Sequence, residues 1–347
     1  MRDSRRVLRT VVVASLLGIA AFGCDSGGNS STDVPSDVPD VPEGAEGTAE
    51  DGGEDGAPDD GTPTDGIDEA APPEDAPGED APVEDVAPRD EGWAETDGGP
   101  MVDELGTNNQ DIVGVTRVIF LGDSITAVPY LTQTWSQRIQ DDLQGLFGAG
   151  IEIRNYAVGG ARTEDVLTEQ LLRIDTTSTL RTLVMFTIGG NDAVQVMGDD
   201  IASSLAHMET KMDNLRAILD WLYDPAHFPG GVYVVFGNIY DPTDGEGDFT
   251  HCGIGVFSTD WPETDTLAAT VNSWFLDEAM ARGADLLDMH GLFLGHGFNY
   301  RDTTNPYYCR GCDPSCPCPL WFDFTCIHPN SDGHEALAGF FFGIVSR

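Results

Sequence analysis

Apolar and polar positions are unevenly distributed along the chain. After residue 110, short runs dense in Val, Ile, Leu and Phe alternate with stretches where apolar residues recur every three or four positions. Five runs read as strands: Val115 to Leu121, Ile151 to Val158, Leu183 to Ile188, Val232 to Phe236 and the shorter Ala284 to Leu287. Being apolar on both alternating faces, they suit a parallel sheet covered on two sides. Between them, Leu205, Met208, Met212, Leu215, Ile218, Leu219 and Leu222 form the clearest helical stripe, a pattern of core packing rather than of a cofactor site. Further helices are expected near 133–146, 164–173, 266–282 and 332–345. Strand–helix alternation across 111–347 predicts one doubly wound α/β domain with a central parallel sheet. Ligands in such sheets sit at the carboxyl ends of the strands, so the polar residues just after each strand are the candidates for chemistry.

The first 110 residues follow neither period. Arg2, Arg5, Arg6 and Arg9 precede an apolar run from Val11 to Phe22, then Gly23-Cys24 and a polar stretch. A basic start, a short apolar core and a small residue before a cut site describe an export signal over 1–24, and the run is too short to span a bilayer comfortably. The placement of Cys24 looks like that of a bacterial lipoprotein, in which the Cys carries the lipid anchor; Ala21-Phe22 depart from the usual residues there, and an ordinary secretory signal is the alternative. Residues 25–100 then carry 25 Asp and Glu against the single Arg89, with frequent Pro and Gly. Too little apolar surface is present to offset the entropy of ordering, so 25–110 is expected to be a disordered acidic linker. Its charge and proline content favour an extended tether.

The whole chain carries a net charge of −43, nearly all of it divided between the linker and the domain. Such a balance excludes a nucleic-acid binder working through a basic face, and docking on anionic lipid by charge. Around an active site it disfavours anionic substrates and points to neutral ones.

Four blocks follow the strands or close the chain. Gly122-Asp123-Ser124 ends the first run; by itself the Ser reads as a helix cap. Asn155 to Ala161 follows the second and contains the pair Gly159-Gly160. Gly189-Gly190-Asn191-Asp192 follows the third, and Cys326-Ile327-His328-Pro329-Asn330 precedes the last helix. Together they resemble the SGNH (GDSL-type) hydrolases, in the same order and spacing over nearly all of 115–345. The resemblance implies a flavodoxin-like three-layer α/β/α sandwich. It also implies a Ser124 nucleophile, a His328 general base and an oxyanion hole made of the Ser124 and Gly160 N–H groups with the Asn191 side chain. A serine hydroxyl needs such a base to take its proton, and an imidazole suits that role near neutral pH. No Gly-x-Ser-x-Gly elbow is present, which argues against the α/β-hydrolase fold.

One departure stands out. The family usually has Asp three residues before the catalytic His, and here that position is Thr325. Asp323 is the nearest upstream carboxylate and is the expected third member, slightly ahead of a Ser–His dyad oriented by a backbone carbonyl. His334 reads as structural; His290 and His296, in the loop after the fifth strand, read as loop packing ahead of metal or substrate binding.

Besides Cys24, six cysteines remain: Cys252, Cys309, Cys312, Cys316, Cys318 and Cys326. In an exported domain an even number favours disulfides, here three with 15 possible connectivities, although the 309–318 spacing would also suit zinc. The Cys-rich loop 302–326 is expected to staple the region beside the active site. Asp241, Asp244, Glu246 and Asp248 form an acidic loop that offers calcium ligands, but its spacing does not match an EF-hand and argues against that role. No cofactor or metal is expected.

The expectation is therefore an exported serine esterase, monomeric and held at the cell envelope through Cys24. Its substrate would be a small-molecule, lipid or carbohydrate ester, with aromatic residues of 292–300 and 320–324 lining an acyl pocket. Polysaccharide O-deacetylation at the same site, or a non-catalytic binding lipoprotein that keeps the fold, are the alternatives.

Overall fold

Each of the five apolar runs contains a strand. The computed structural model describes residues 101–128, 132–250, 260–308 and 318–347. The export signal, Cys24, the linker up to residue 100 and four of the six remaining cysteines lie outside them. The strands are β1 (Met101–Asp103), β2 (Gly106–Asn108), β3 (Arg117–Gly122), β4 (Glu152–Asn155), β5 (Thr182–Thr187), β6 (Val232–Gly237) and β7 (Asp285–Leu287). They form one sheet in the order β1-β2-β7-β6-β5-β3-β4. All pairings among β3 to β7 are parallel, while β2 runs antiparallel to β7 and β1 antiparallel to β2.

Every residue of the central strands β3 and β5 is buried. Alternation sends Ile119 and Leu121 of β3 into one apolar layer and Val118 and Phe120 into the other. The first layer is closed by α5 (Ile201–Tyr223) and α6 (Thr264–Arg282). The second is closed by α1 (Trp135–Arg138), α2 (Gln140–Phe147) and α8 (Ser331–Val345), with Trp135 stacked on Phe341 at 3.9 Å. This is the three-layer α/β/α sandwich. Asp200 caps α5 through the Ser203 N–H at 3.0 Å, and Met208, Met212, Leu215, Ile218, Leu219 and Leu222 are buried as the stripe predicts.

Two helical expectations change in detail, and two brief helices are added. The single helix near 133–146 is interrupted at Ile139, where ψ flattens to −2°. The one near 164–173 is a composite: a short α turn, α3 (Thr163–Asp165), then a π turn over Val166–Gln170 and a 3₁₀ turn over Leu171–Arg173. Two brief helices, α4 (Gly190–Val194) and α7 (Met289–Phe293), follow β5 and β7.

The domain also starts earlier than the expected boundary at 110/111. Residues 101–103 and 106–108 are strands of the sheet, and Asn109 and Gln110 are bonded to it, through contacts that hydrophobic patterning does not register. The Leu286 N–H donates to the buried Thr107 hydroxyl at 2.7 Å, and the Asn109 N–H donates to Asp285 at 2.5 Å. The Gln110 carboxamide bonds both the N–H and the C=O of Val234, at 3.0 and 2.7 Å, like a further strand residue.

Leu215 faces the sheet with no exposed surface. Leu215→Ala should therefore cost about 2–5 kcal/mol of stability, as transfer and cavity terms combine. Urea denaturation with an unchanged m-value checks this.

Candidate active site

Strand β3 ends at a backbone contact that only glycine permits. Gly122 has φ +111°, and a Cβ there would lie 2.0 Å from the Thr187 carbonyl oxygen. The chain consequently leaves the sheet, and the Gln170 side chain takes up both backbone groups of Gly122, accepting from its N–H and donating to its C=O, each at 2.8 Å. The next residue, Asp123, is buried and accepts from the Ile125 N–H at 3.0 Å and the Thr187 hydroxyl at 3.1 Å. Burial pushes its carboxyl up to about 7. These contacts fix the turn that carries Ser124.

His328 reaches the same place from the far end of the chain. The Ser124 Oγ lies 2.8 Å from His328 Nε2. The imidazole is held by a tight turn from Asp323 to His328, closed by the Asp323 N–H on the His328 carbonyl at 2.9 Å and flanked by the bridge between Phe322 and Pro329. Tyr240, fully buried, donates to the Ile327 carbonyl at 2.5 Å and stacks on Phe293. Burial lowers the His328 pKa below its usual value, and the nearby Asp323 charge opposes the shift.

Asp323 does not bond the imidazole. Its Oδ1 accepts from the Thr325 N–H at 2.8 Å and from the Thr325 hydroxyl, and it is the Thr325 Oγ1 that lies 2.8 Å from His328 Nδ1. The expectation of a direct Asp323–His328 contact is thus corrected. The loop does fold back as that contact required, but Thr325 occupies the intervening place. Its position three before His328 was the available signal.

The two remaining residues lie beside the serine. Gly160 has φ +78°, in the loop after β4; that loop is tied to β3 by the Val158 N–H on the Gly122 carbonyl at 3.0 Å. A Cβ on its neighbour Gly159 would come within 3.9 Å of the Ser124 Cβ. Among the described residues, neither the Ser124 nor the Gly160 N–H has an intramolecular hydrogen bond. Asn191 donates one amide hydrogen to the Ala161 carbonyl at 3.0 Å, and Asp192 accepts from the Thr163 N–H at 3.0 Å. These bonds bind the loop after β5 to the loop after β4, and one Asn191 hydrogen remains available.

Ser124, Asn191 and His328 line a cavity whose walls are mostly apolar, including Ile188, Met197, Met208, Trp261, Leu267 and Val271. Its wall comes from α4, α5, α6 and the loop after β6. None of residues 292–300 and 320–324, expected to line an acyl pocket, lines this cavity: Phe293 and Phe322 are buried in the opposite layer, Phe298 packs against both layers, and Phe324 is exposed. The misplacement arises because sequence adjacency to a strand end does not reveal which side of the sheet a loop folds onto.

The other candidates have structural duties. His334 accepts the Trp135 N–H on Nδ1 at 3.2 Å, and burial lowers its pKa to about 4. His296 stacks on Trp321 and is likewise lowered to about 4 by burial. In the acidic loop, Asp244 accepts from the N–H groups of Gly295, Gly297 and Asn299, and Asp241 from Thr243 and Gly245. No group of three or more candidate metal ligands occurs among the described residues. Cys318 and Cys326 are both disulfide-bonded.

The GDSL-like Lipase/Acylhydrolase family matches residues 120–336, and the chain belongs to that family. It is a hydrolase acting on ester bonds. Similar solved structures include an acetylxylan esterase from Geobacillus stearothermophilus, at 17% identity and TM-score 0.44, over 69% of this chain and 97% of that one. An extracellular lipase from Streptomyces rimosus is similar at 20% identity and TM-score 0.42, over 67% and 98%. A lipase from a goat rumen metagenome matches at 16% identity and TM-score 0.44, over 66% and 97%. A search of curated proteins finds no match.

Gln170 was invisible to motif reading, yet it satisfies the end of β3. Gln170→Leu leaves the buried Gly122 N–H without a partner, and should cost about 1–3 kcal/mol of stability. Ester turnover should fall with it, because the turn carrying Ser124 loses its support; paired urea melts and turnover measurements check this.

Proposed function

We propose that this chain is an exported serine esterase, anchored at the cell envelope through Cys24, that cleaves neutral carboxylic esters with an apolar acyl group. The observation that carries the reading is the 2.8 Å contact between Ser124 Oγ and His328 Nε2 in the wall of an apolar cavity. In the first half-reaction, His328 Nε2 takes the Ser124 proton while Oγ attacks the ester carbonyl carbon. The negative charge that develops on the carbonyl oxygen is met by the N–H groups of Ser124 and Gly160 and by the Asn191 amide. Donors of this kind each contribute about 2.7–4 kcal/mol when aimed at the oxyanion. The tetrahedral intermediate then collapses, the ester C–O bond breaks, and the imidazolium returns its proton to the leaving alcohol. Water, deprotonated by His328, attacks the acyl carbon; the C–Oγ bond then breaks, the imidazolium returns its proton to Ser124 Oγ, and the carboxylic acid is released.

The apolar wall supports acyl chains longer than acetyl. The acidic domain, with no Lys or Arg among the residues lining the cavity, supports neutral substrates. Export and the lipid anchor rest on the sequence pattern of residues 1–24 alone.

The purified protein should hydrolyse nitrophenyl esters, with Ser124→Ala lowering kcat by about 10³-fold or more. From acetate upwards, kcat/KM should rise by about fourfold per methylene, the equivalent of about 0.8 kcal/mol each, until the cavity ends. Ala268→Phe, which adds bulk to the wall, should shorten the preferred chain and spare acetate. A maximum at acetate in the unmodified protein would favour the polysaccharide deacetylase instead, and turnover independent of Ser124 would sink the mechanism.

The pH profile tests His328. Its pKa is lowered by burial, so the neutral, proton-accepting form persists below pH 6.5. The acid limb of kcat/KM should accordingly fall below pH 6.5; a limb above it would contradict the assignment.

A further inference from the structure

We infer that Thr325 is a positioning residue that relays Asp323 to His328, so that the site runs as a four-membered chain, Ser124–His328–Thr325–Asp323. A threonine hydroxyl has one proton to give and two lone pairs to receive. Around Thr325 Oγ1, the His328 backbone N–H donates at 3.3 Å, Nδ1 of the imidazole lies at 2.8 Å, and Asp323 Oδ1 is the third neighbour. A carboxylate can only accept, so the hydroxyl proton goes to Asp323. Both lone pairs then face N–H donors, which places the imidazole proton on Nδ1. Nε2 is left unprotonated opposite the Ser124 Oγ, the tautomer in which it can take the serine proton.

The surrounding turn is built to keep the hydroxyl there. The Thr325 N–H also bonds Asp323 Oδ1, and Cys326, in a disulfide, has φ +67°. A left-handed non-glycine residue persists only where its surroundings over-determine it. The turn closes through the Cys326 N–H on the Asp323 carbonyl at 3.1 Å. When His328 takes the Ser124 proton, its positive charge is met through the polarised hydroxyl rather than by direct carboxylate contact. The other titratable groups around this ring are Asp323 itself, the buried and neutral His334, the buried Asp123 beside Ser124, and Tyr240, whose hydroxyl is committed to the Ile327 carbonyl.

This inference rests on the Ser124–His328 reading, and the tests separate the two. Thr325→Val keeps the shape and removes the hydroxyl. It should lower kcat by about 10²-fold with KM little changed, and move the acid limb of kcat/KM to lower pH, because the imidazolium loses its acceptor. Thr325→Ser, which restores the hydroxyl, should return to within about threefold of the unmodified protein. Asp323→Asn should lower kcat about tenfold in the unmodified background and add little to Thr325→Val, since groups acting as one unit are not additive. Should the valine variant not fold, as judged by thermal melting, Asp323→Asn alone decides, and must move both kcat and the acid limb. Unchanged kcat and pH limb in these variants, failure of serine to rescue, or multiplicative effects overturn the relay. Activity that survives Ser124→Ala would instead overturn the reading on which it rests.

Discussion

The contact between Gly122 and Thr187 governs the rest of the molecule. Two central strands come so close that no side chain fits at the end of β3. The chain must turn out of the sheet at that residue. The serine two positions later therefore stands above the sheet, where the loops after β4, β5 and β6 and the turn before α8 converge. Gln170 completes the strand end from a helical segment that is wound partly as a π turn. Such departures from regular helix place side chains where a regular helix would not, and they gather near functional sites.

Side-chain amides and carboxylates substitute for missing strand partners throughout the domain. Gln110 does for Val234 at the start of the sheet what Gln170 does for Gly122 at its active end. Asp123, Asp192 and Asp244 are buried acceptors that gather backbone N–H groups of loops. Their burial pushes all three pKa values up, to about 7 for Asp123 and Asp244. Part of the domain's acidic composition thus serves as internal scaffolding, while the remainder lies at the surface.

The turn before α8 shows how one catalytic need can be met by unfamiliar residues. A general-base histidine needs an acceptor on its outer nitrogen and a negative charge close behind it. Here the acceptor is a hydroxyl and the charge is one hydrogen bond further away, both supplied within six residues of one turn. The apolar cavity is made largely by helices distant in sequence, and it meets the turn that carries the base at Tyr240, Ile327 and His328, so binding of the acyl group and orientation of the base share those residues.

Much of this was legible in the sequence, because buried parallel strands must be apolar on both faces and α5 must present a stripe at helical spacing. Five strands, the main helices, and the blocks around Ser124, Gly160, Asn191 and His328 follow from periodicity and motif spacing. The short strands β1 and β2 left no such trace, since edge pairing uses backbone groups that every residue carries. Nor could the chain alone show that Asp323 bonds Thr325 instead of His328, or that the cavity opens towards α5 and α6. Those depend on distances of a few tenths of an ångström and on which side of the sheet a loop folds. Local patterning determines the elements; only their packing decides which polar groups meet.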